Sequence, residues 1–186
     1  MELENLDDDE LLGLSLEAST AARDADAVAL LKVLVERNPR HAHGQYLLAA
    51  QHAQLGLLDR AEQGFRVAVE LAPRFPMARF QLGQLLLAKG EVEQAASELR
   101  SVGSAEPALA AYAEGLCALA EGIPAEAVAS LRRGLAAPQA IPALAEDMRR
   151  LLENLAADAG RPAEDVDMAT NPMAAPMLLS NYNRYN

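Results

Sequence analysis

Leu144, Met148, Leu151, Leu152 and Leu155 stand at i, i+4, i+7, i+8 and i+11, the stripe of a helix that buries one face. Arg149, Arg150 and Glu153 fall mostly off that stripe, and Gly160 and Pro162 close it. Upstream, the same alternation of apolar and polar residues predicts four pairs of helices: about 8–22 and 25–37, 41–54 and 58–71, 75–88 and 92–102, and 106–120 and 124–136. The stripe at 141–160 then reads as a closing helix. From residue 161 on, no helical period survives.

The helix pairs repeat. Pro39, Pro73 and Pro107 are spaced 34 residues apart, and each is placed to stop a second helix that it cannot continue. Gly56 and Gly90 stand five residues before Ala61 and Ala95; Ala22 and Ala27 hold those places in an earlier copy, and Gly122 and Ala127 in a later one. Glycine at such a turn tolerates the positive φ that ends a helix. Small residues let two helices approach closely, and a single pair cannot bury its apolar face alone, so pairs stack.

The small residue of the first helix is Ser15, Ala49, Gly83 and Gly115, and an Ala-x3-large pair follows as Ala27/Leu31, Ala61/Phe65, Ala95/Leu99 and Ala127/Leu131. With the 34-residue period, these residues resemble the tetratricopeptide repeat (TPR) family over about residues 8–140. The resemblance implies an all-α fold: a right-handed superhelical stack of three to four antiparallel helix pairs, with repeats at about 8–41, 42–75, 76–107 and 108–140. A cap helix at 141–158 would complete a 1–160 solenoid, and 161–186 would be an extended apolar and aromatic tail. Two features depart from the family pattern. Leu11, Gln45, Arg79 and Ala111 stand where the family has a bulky aromatic, and the fourth copy is about two residues short.

Composition agrees with a helical chain. Of the 186 residues 51% are hydrophobic but only 4% are aromatic, so Ala and Leu, the best helix formers, supply the bulk. The net charge is −11, and no Lys/Arg cluster offers itself to a phosphate backbone. Nucleic acid and anionic membrane surfaces are therefore not expected partners. The first ten residues hold six acids and no base, the opposite of a secretory signal, and no apolar run approaches a membrane span. With one cysteine, Cys117, read as a small buried residue, the expected location is cytoplasmic.

No reaction is expected. His41, His43 and His52 do not align on a helix face, and no Cys or carboxylate joins them at ligand spacing. There is no glycine-rich phosphate loop and no nucleophile turn. Asp7, Asp8, Asp9 and Glu10 open the first helix, where acids complement the helix dipole. No metal, cofactor or catalytic residue is assigned.

The resemblance implies a concave groove lined by the first helices. Carried over in register, it places Leu12, Leu16, His43, Tyr46, Ala50, Met77, Phe80, Gln84, Leu87, Leu109, Tyr112, Leu116 and Leu119 there. Tyr46, Phe80 and Tyr112 hold one repeat position. They are either core filling or an exposed aromatic ladder that takes an extended apolar peptide, since aromatic walls stack on Pro and Met side chains. Tyr46, Ala50, Phe80, Gln84 and Tyr112 lack the Lys and Asn with which some TPR domains clamp acidic chaperone tails. The expected function is a protein–protein adaptor or scaffold. A cytosolic chaperone for secreted proteins, similar to type III secretion translocator chaperones, and a non-catalytic subunit of an enzyme complex are the alternatives. Leu11, Leu12, Leu14 and Leu16 leave apolar surface on the first helix for a homodimer. The tail "NPMAAPMLLSNYNRYN" (171–186) has the chemistry of a groove ligand and could clasp its own groove or a neighbour's, or lie on the cap helix.

Overall fold

The computed structural model describes residues 5–158. The expected tail at 161–186 lies outside them. Among the described residues there are nine α-helices and no strand: α1 (Asp8–Thr20), α2 (Asp24–Arg37), α3 (Ala42–Gln54), α4 (Leu58–Leu71), α5 (Pro76–Ala88), α6 (Val92–Arg100), α7 (Pro107–Ala120), α8 (Pro124–Ala136) and α9 (Pro142–Asp158). The chain forms an all-α helical repeat. Residues up to Ala78 make one compact unit, and a second begins at Arg79, inside α5.

The turn inside each pair is built the same way four times. Ala22, Gly56, Gly90 and Gly122 have φ of 55°, 73°, 79° and 74°. The next residue's N–H reaches back five residues to a helix carbonyl: Arg23 to Ala18, Leu57 to His52, Glu91 to Leu86 and Ile123 to Ala118, each at 2.8 Å. This is the Schellman end, which needs a left-handed residue to satisfy otherwise orphaned carbonyls. Ala22 adopts it despite its Cβ.

Within a pair, the small residue of the first helix meets the large residue of the second. A Cβ on Gly83 would lie 2.6 Å from Leu99 Cγ, and one on Gly115 would lie 3.1 Å from Leu131 Cγ. Ala27, Leu31, Ala61, Phe65, Ala95, Leu99, Ala127 and Leu131 are all buried. In the first unit, α1 packs on α2, α2 on α3 and α3 on α4; in the second, α6 packs on α7, α7 on α8 and α8 on α9. A 2.7 Å ion pair from Arg79 to Glu98 ties α5 to α6.

Three local features decide the ends of helices. Asp7 opens α1 with a reciprocal capping box, accepting from the Glu10 N–H while the Glu10 carboxylate accepts from the Asp7 N–H, both at 2.8 Å. His41 opens α3: its Nδ1 accepts from the Gly44 N–H at 3.0 Å. Pro107 does not stop α6, as its spacing predicts, but stands at the first position of α7, where its missing N–H has no helical partner to lose. The helix α6 already ends at Arg100, and Gly103 turns the chain with φ 79°. The shortening before the fourth copy lies in α6, nine residues against fourteen in α4, and the loop that follows it is the longer one.

On α9, Leu144 and Met148 are buried and Leu151, Leu152 and Leu155 are half-buried. The predicted stripe therefore covers α8, as expected of a closing helix.

Candidate functional site

In the first unit, the face expected to bind is built on α1 and α3. Leu12 and Leu16 are half-buried, while Ala50 and Met77 are buried. Leu11 is fully buried, so it adds nothing to the apolar surface expected on α1; only Leu12, Leu14 and Leu16 remain partly open. His43 is exposed, with its ring centroid 4.7 Å from that of Phe75.

Tyr46 is 3% exposed. Its ring lies 4.8 Å from Phe75 and 5.9 Å from Phe65, tilted against both, a favourable arrangement of aromatic quadrupoles. The hydroxyl is buried with no hydrogen-bond partner. Burial pushes this phenol well above its ordinary pKa, so it stays a neutral donor.

In the second unit, Phe80, Gln84 and Leu87 of α5 and Leu109, Tyr112 and Leu116 of α7 are buried, and Leu119 is half-buried. Tyr112 packs on Gly134 of α8, where any Cβ would collide with the ring. Its hydroxyl donates to Gln139 Oε1 at 2.8 Å. The Gln139 amide donates in turn to the Gly134 and Ala137 carbonyls.

The column Tyr46, Phe80 and Tyr112 is therefore not an exposed ladder. Tyr46 lies on Phe65, from the second helix of its own pair, and on Phe75 beyond it. Tyr112 lies on Gly134, again from the second helix of its pair. The core-filling reading of this column is the one its burial matches.

The polar groups on these helices are more unusual. Gln84 is 0% exposed, and neither atom of its carboxamide has a hydrogen-bond partner. Such a group is costly, at about 1–3 kcal/mol for each buried donor or acceptor left unmade. Gln51, by contrast, donates to Ser19 Oγ at 2.8 Å.

Cys117 is buried on α7, its Sγ 3.9 Å from the Ala96 carbonyl oxygen. Burial raises its thiol pKa, the opposite of an activated nucleophile. Among the described residues, no group of three or more His, Cys, Asp and Glu could hold a metal ion. No helix among them is long and apolar enough to cross a membrane.

No protein-family model and no curated protein matches the chain. Solved structures do. A crystal structure of MamA is similar with a TM-score of 0.59 and 23% identity, covering 69% of this chain and 77% of that one. MamA (41-end) from Desulfovibrio magneticus RS-1 gives 0.59 at 20% identity, covering 88% and 97%. The P58(IPK) TPR domain gives 0.52 at 20% identity, covering 95% of this chain and 52% of that one. The repeat ruler, the four identical turns and these neighbours agree: the chain has the tetratricopeptide-repeat fold.

Proposed function

We propose that this protein is a non-catalytic adaptor whose first-helix face binds an extended apolar segment of a partner protein. The observation that carries the reading is Gln84, a fully buried carboxamide with neither donor nor acceptor partnered, on an apolar first helix. The buried, unpartnered hydroxyl of Tyr46 on α3 supports it in the other unit. An extended peptide presents one N–H and one C=O per residue, so it can satisfy both ends of the Gln84 carboxamide once that side chain turns out of the packed helices to meet it. The apolar side chains of the first helices that stay partly open are Leu12 and Leu16 in the first unit and Leu119 in the second. Such a lining selects apolar side chains, and His43 is the exposed polar group beside them.

The chain's own residues 171–186, with two Pro, two Met, a Leu-Leu pair and two Tyr, have the composition of this ligand class. A labelled peptide of that sequence should bind the full chain saturably. A control with its Met and Leu replaced by Ser should not. Equal binding of the two peptides would remove the apolar-segment reading.

A further inference from the structure

A cleft of about 400 Å³ opens in the first unit between α2, α3 and α4. Its lining includes Lys32 from α2, His52 from α3 and Arg60 from α4. Leu48 and Val67 give it an apolar floor, and Gln63 adds a carboxamide. No carboxylate is among the lining residues.

That absence is notable in a chain with 27 acids against 16 bases. Arg23, Arg37, Arg66 and Lys89 each pair with an Asp or Glu. Lys32 and Arg60 make no ion pair among the described residues. Both line the same cleft as the His52 imidazole. Burial, then the charge of Arg60, then that of Lys32 hold His52 below its ordinary pKa.

The repeat itself does not require this. With Gly56 and Gly122 in register, the equivalent cleft of the second unit has Glu114 for Leu48, Ala118 for His52, Glu126 for Arg60 and Ser130 for Gly64. There the lining carries Glu114, Glu121 and Glu126 beside a single cation, Arg100. The cationic character of the first cleft is thus a property of its side chains and not of the fold.

The structure assigns the cleft of Lys32, His52 and Arg60 as a binding site for a peptide carboxylate flanked by an apolar side chain. Two cations and an imidazole can share one carboxylate through charge-assisted hydrogen bonds. The floor of Leu48 and Val67 accepts the neighbouring apolar group. The −11 field of the whole chain disfavours multiply charged anions more than a single carboxylate. This site is distinct from the proposed peptide face, since Gln84, Tyr46, Leu12 and Leu16 do not line it.

The test uses the full chain and two short capped peptides, acetyl-Leu-Glu-Leu-amide and its Leu-Gln-Leu counterpart, with inorganic phosphate as a third probe. NMR follows the imidazole of His52. The Glu peptide should bind saturably and raise the His52 pKa. The Gln peptide should bind at least about tenfold more weakly, a loss of about 1.4 kcal/mol. The double variant Lys32→Gln/Arg60→Gln should lose the Glu-peptide response while its melting temperature stays near the parent's, because both side chains are exposed. Equal binding of the two peptides, an unchanged response in the double variant, or no saturation up to about 10 mM would overturn the site. A phosphate response as strong as that of the Glu peptide would overturn the peptide assignment, because the apolar floor would then have no role.

Discussion

Ala22→Gly should stabilise this protein, although glycine is usually a poor choice. Ala22 sits in the left-handed region with φ 55°, at the turn position that Gly56, Gly90 and Gly122 hold in the other copies. A left-handed conformation costs an L-residue with a Cβ about 1–2 kcal/mol. Against that relief stands the greater freedom of glycine in the unfolded chain, worth about 0.4–1 kcal/mol. Ala22 is exposed, so no packing is lost. The net effect is a stabilisation of roughly 0.5–1 kcal/mol. At about 2–4 °C per kcal/mol for a chain of this size, the melting temperature should rise by about 1–4 °C. The reverse substitution provides the control. Gly56 has φ 73° and open space where its Cβ would go, so Gly56→Ala tests backbone strain alone and should lower the melting temperature by a similar amount. Thermal and urea unfolding of both variants, followed by circular dichroism, measure the two shifts. A destabilised Ala22→Gly, or a neutral Gly56→Ala, would refute the reasoning from the shared turn.

Further substitutions test packing, hydrogen bonding and charge. Gly13 and Gly83 both lie inside helices, yet replacing them with Ala should have opposite effects. Gly13→Ala meets no atom within 4 Å and should gain about 1 kcal/mol of helix propensity. Gly83→Ala drives a Cβ to within 2.6 Å of Leu99 Cγ, and an overpacking cost of about 1–3 kcal/mol should outweigh the same gain; urea midpoints separate the two. Tyr112→Phe removes the donor to Gln139 Oε1 and should cost about 1 kcal/mol in the same assay. The folded-state pKa of His52 is lowered by burial and by Arg60 and Lys32. Between that value and the unfolded value near 6.5 the unfolded chain binds the extra proton. Its contribution to stability is therefore complete above about pH 6.5 and is lost as pH falls through the folded pKa. His52→Gln should flatten the acid limb of a melting-temperature–pH profile, and an unchanged limb would contradict the assignment.

The helices were legible because their signals are local. The sequence places α4 at 58–71 and α8 at 124–136, which are the residues they occupy, because a Schellman turn and an Ala-x3-large pair bracket each one. Pro107 carries two sequence signals, the 34-residue ruler that makes it a stop and the helix expected at 106–120 that makes it a start, and the structure has it at the first position of α7. The fate of Tyr46, Phe80 and Tyr112 was not legible, because an aromatic one repeat apart has the same spacing whether it faces a partner helix or a ligand. Gly134, the residue that receives the Tyr112 ring, carries the missing signal: a glycine in the last turn of α8 marks a place where another side chain comes close. Gln84 was assigned to the first-helix face by register, but its lack of partners is a fact of packing. The cationic cleft escaped the sequence because Lys32, His52 and Arg60 come from three helices and share no short-range pattern.

The proposed peptide face is tested most directly at Gln84. Gln84→Leu keeps the side chain's size and removes a buried carboxamide that has no partner. The free chain should therefore become more stable, by about 1 kcal/mol or more. Binding of the labelled 171–186 peptide should weaken, because two hydrogen bonds of about 0.5–1.5 kcal/mol each are lost, a factor of roughly ten. Calorimetry of the parent and the variant measures both quantities on the same samples. A higher melting temperature together with weaker peptide binding is the predicted result. A higher melting temperature with unchanged binding would contradict the proposed function and leave Gln84 as no more than an unpaired group in the core.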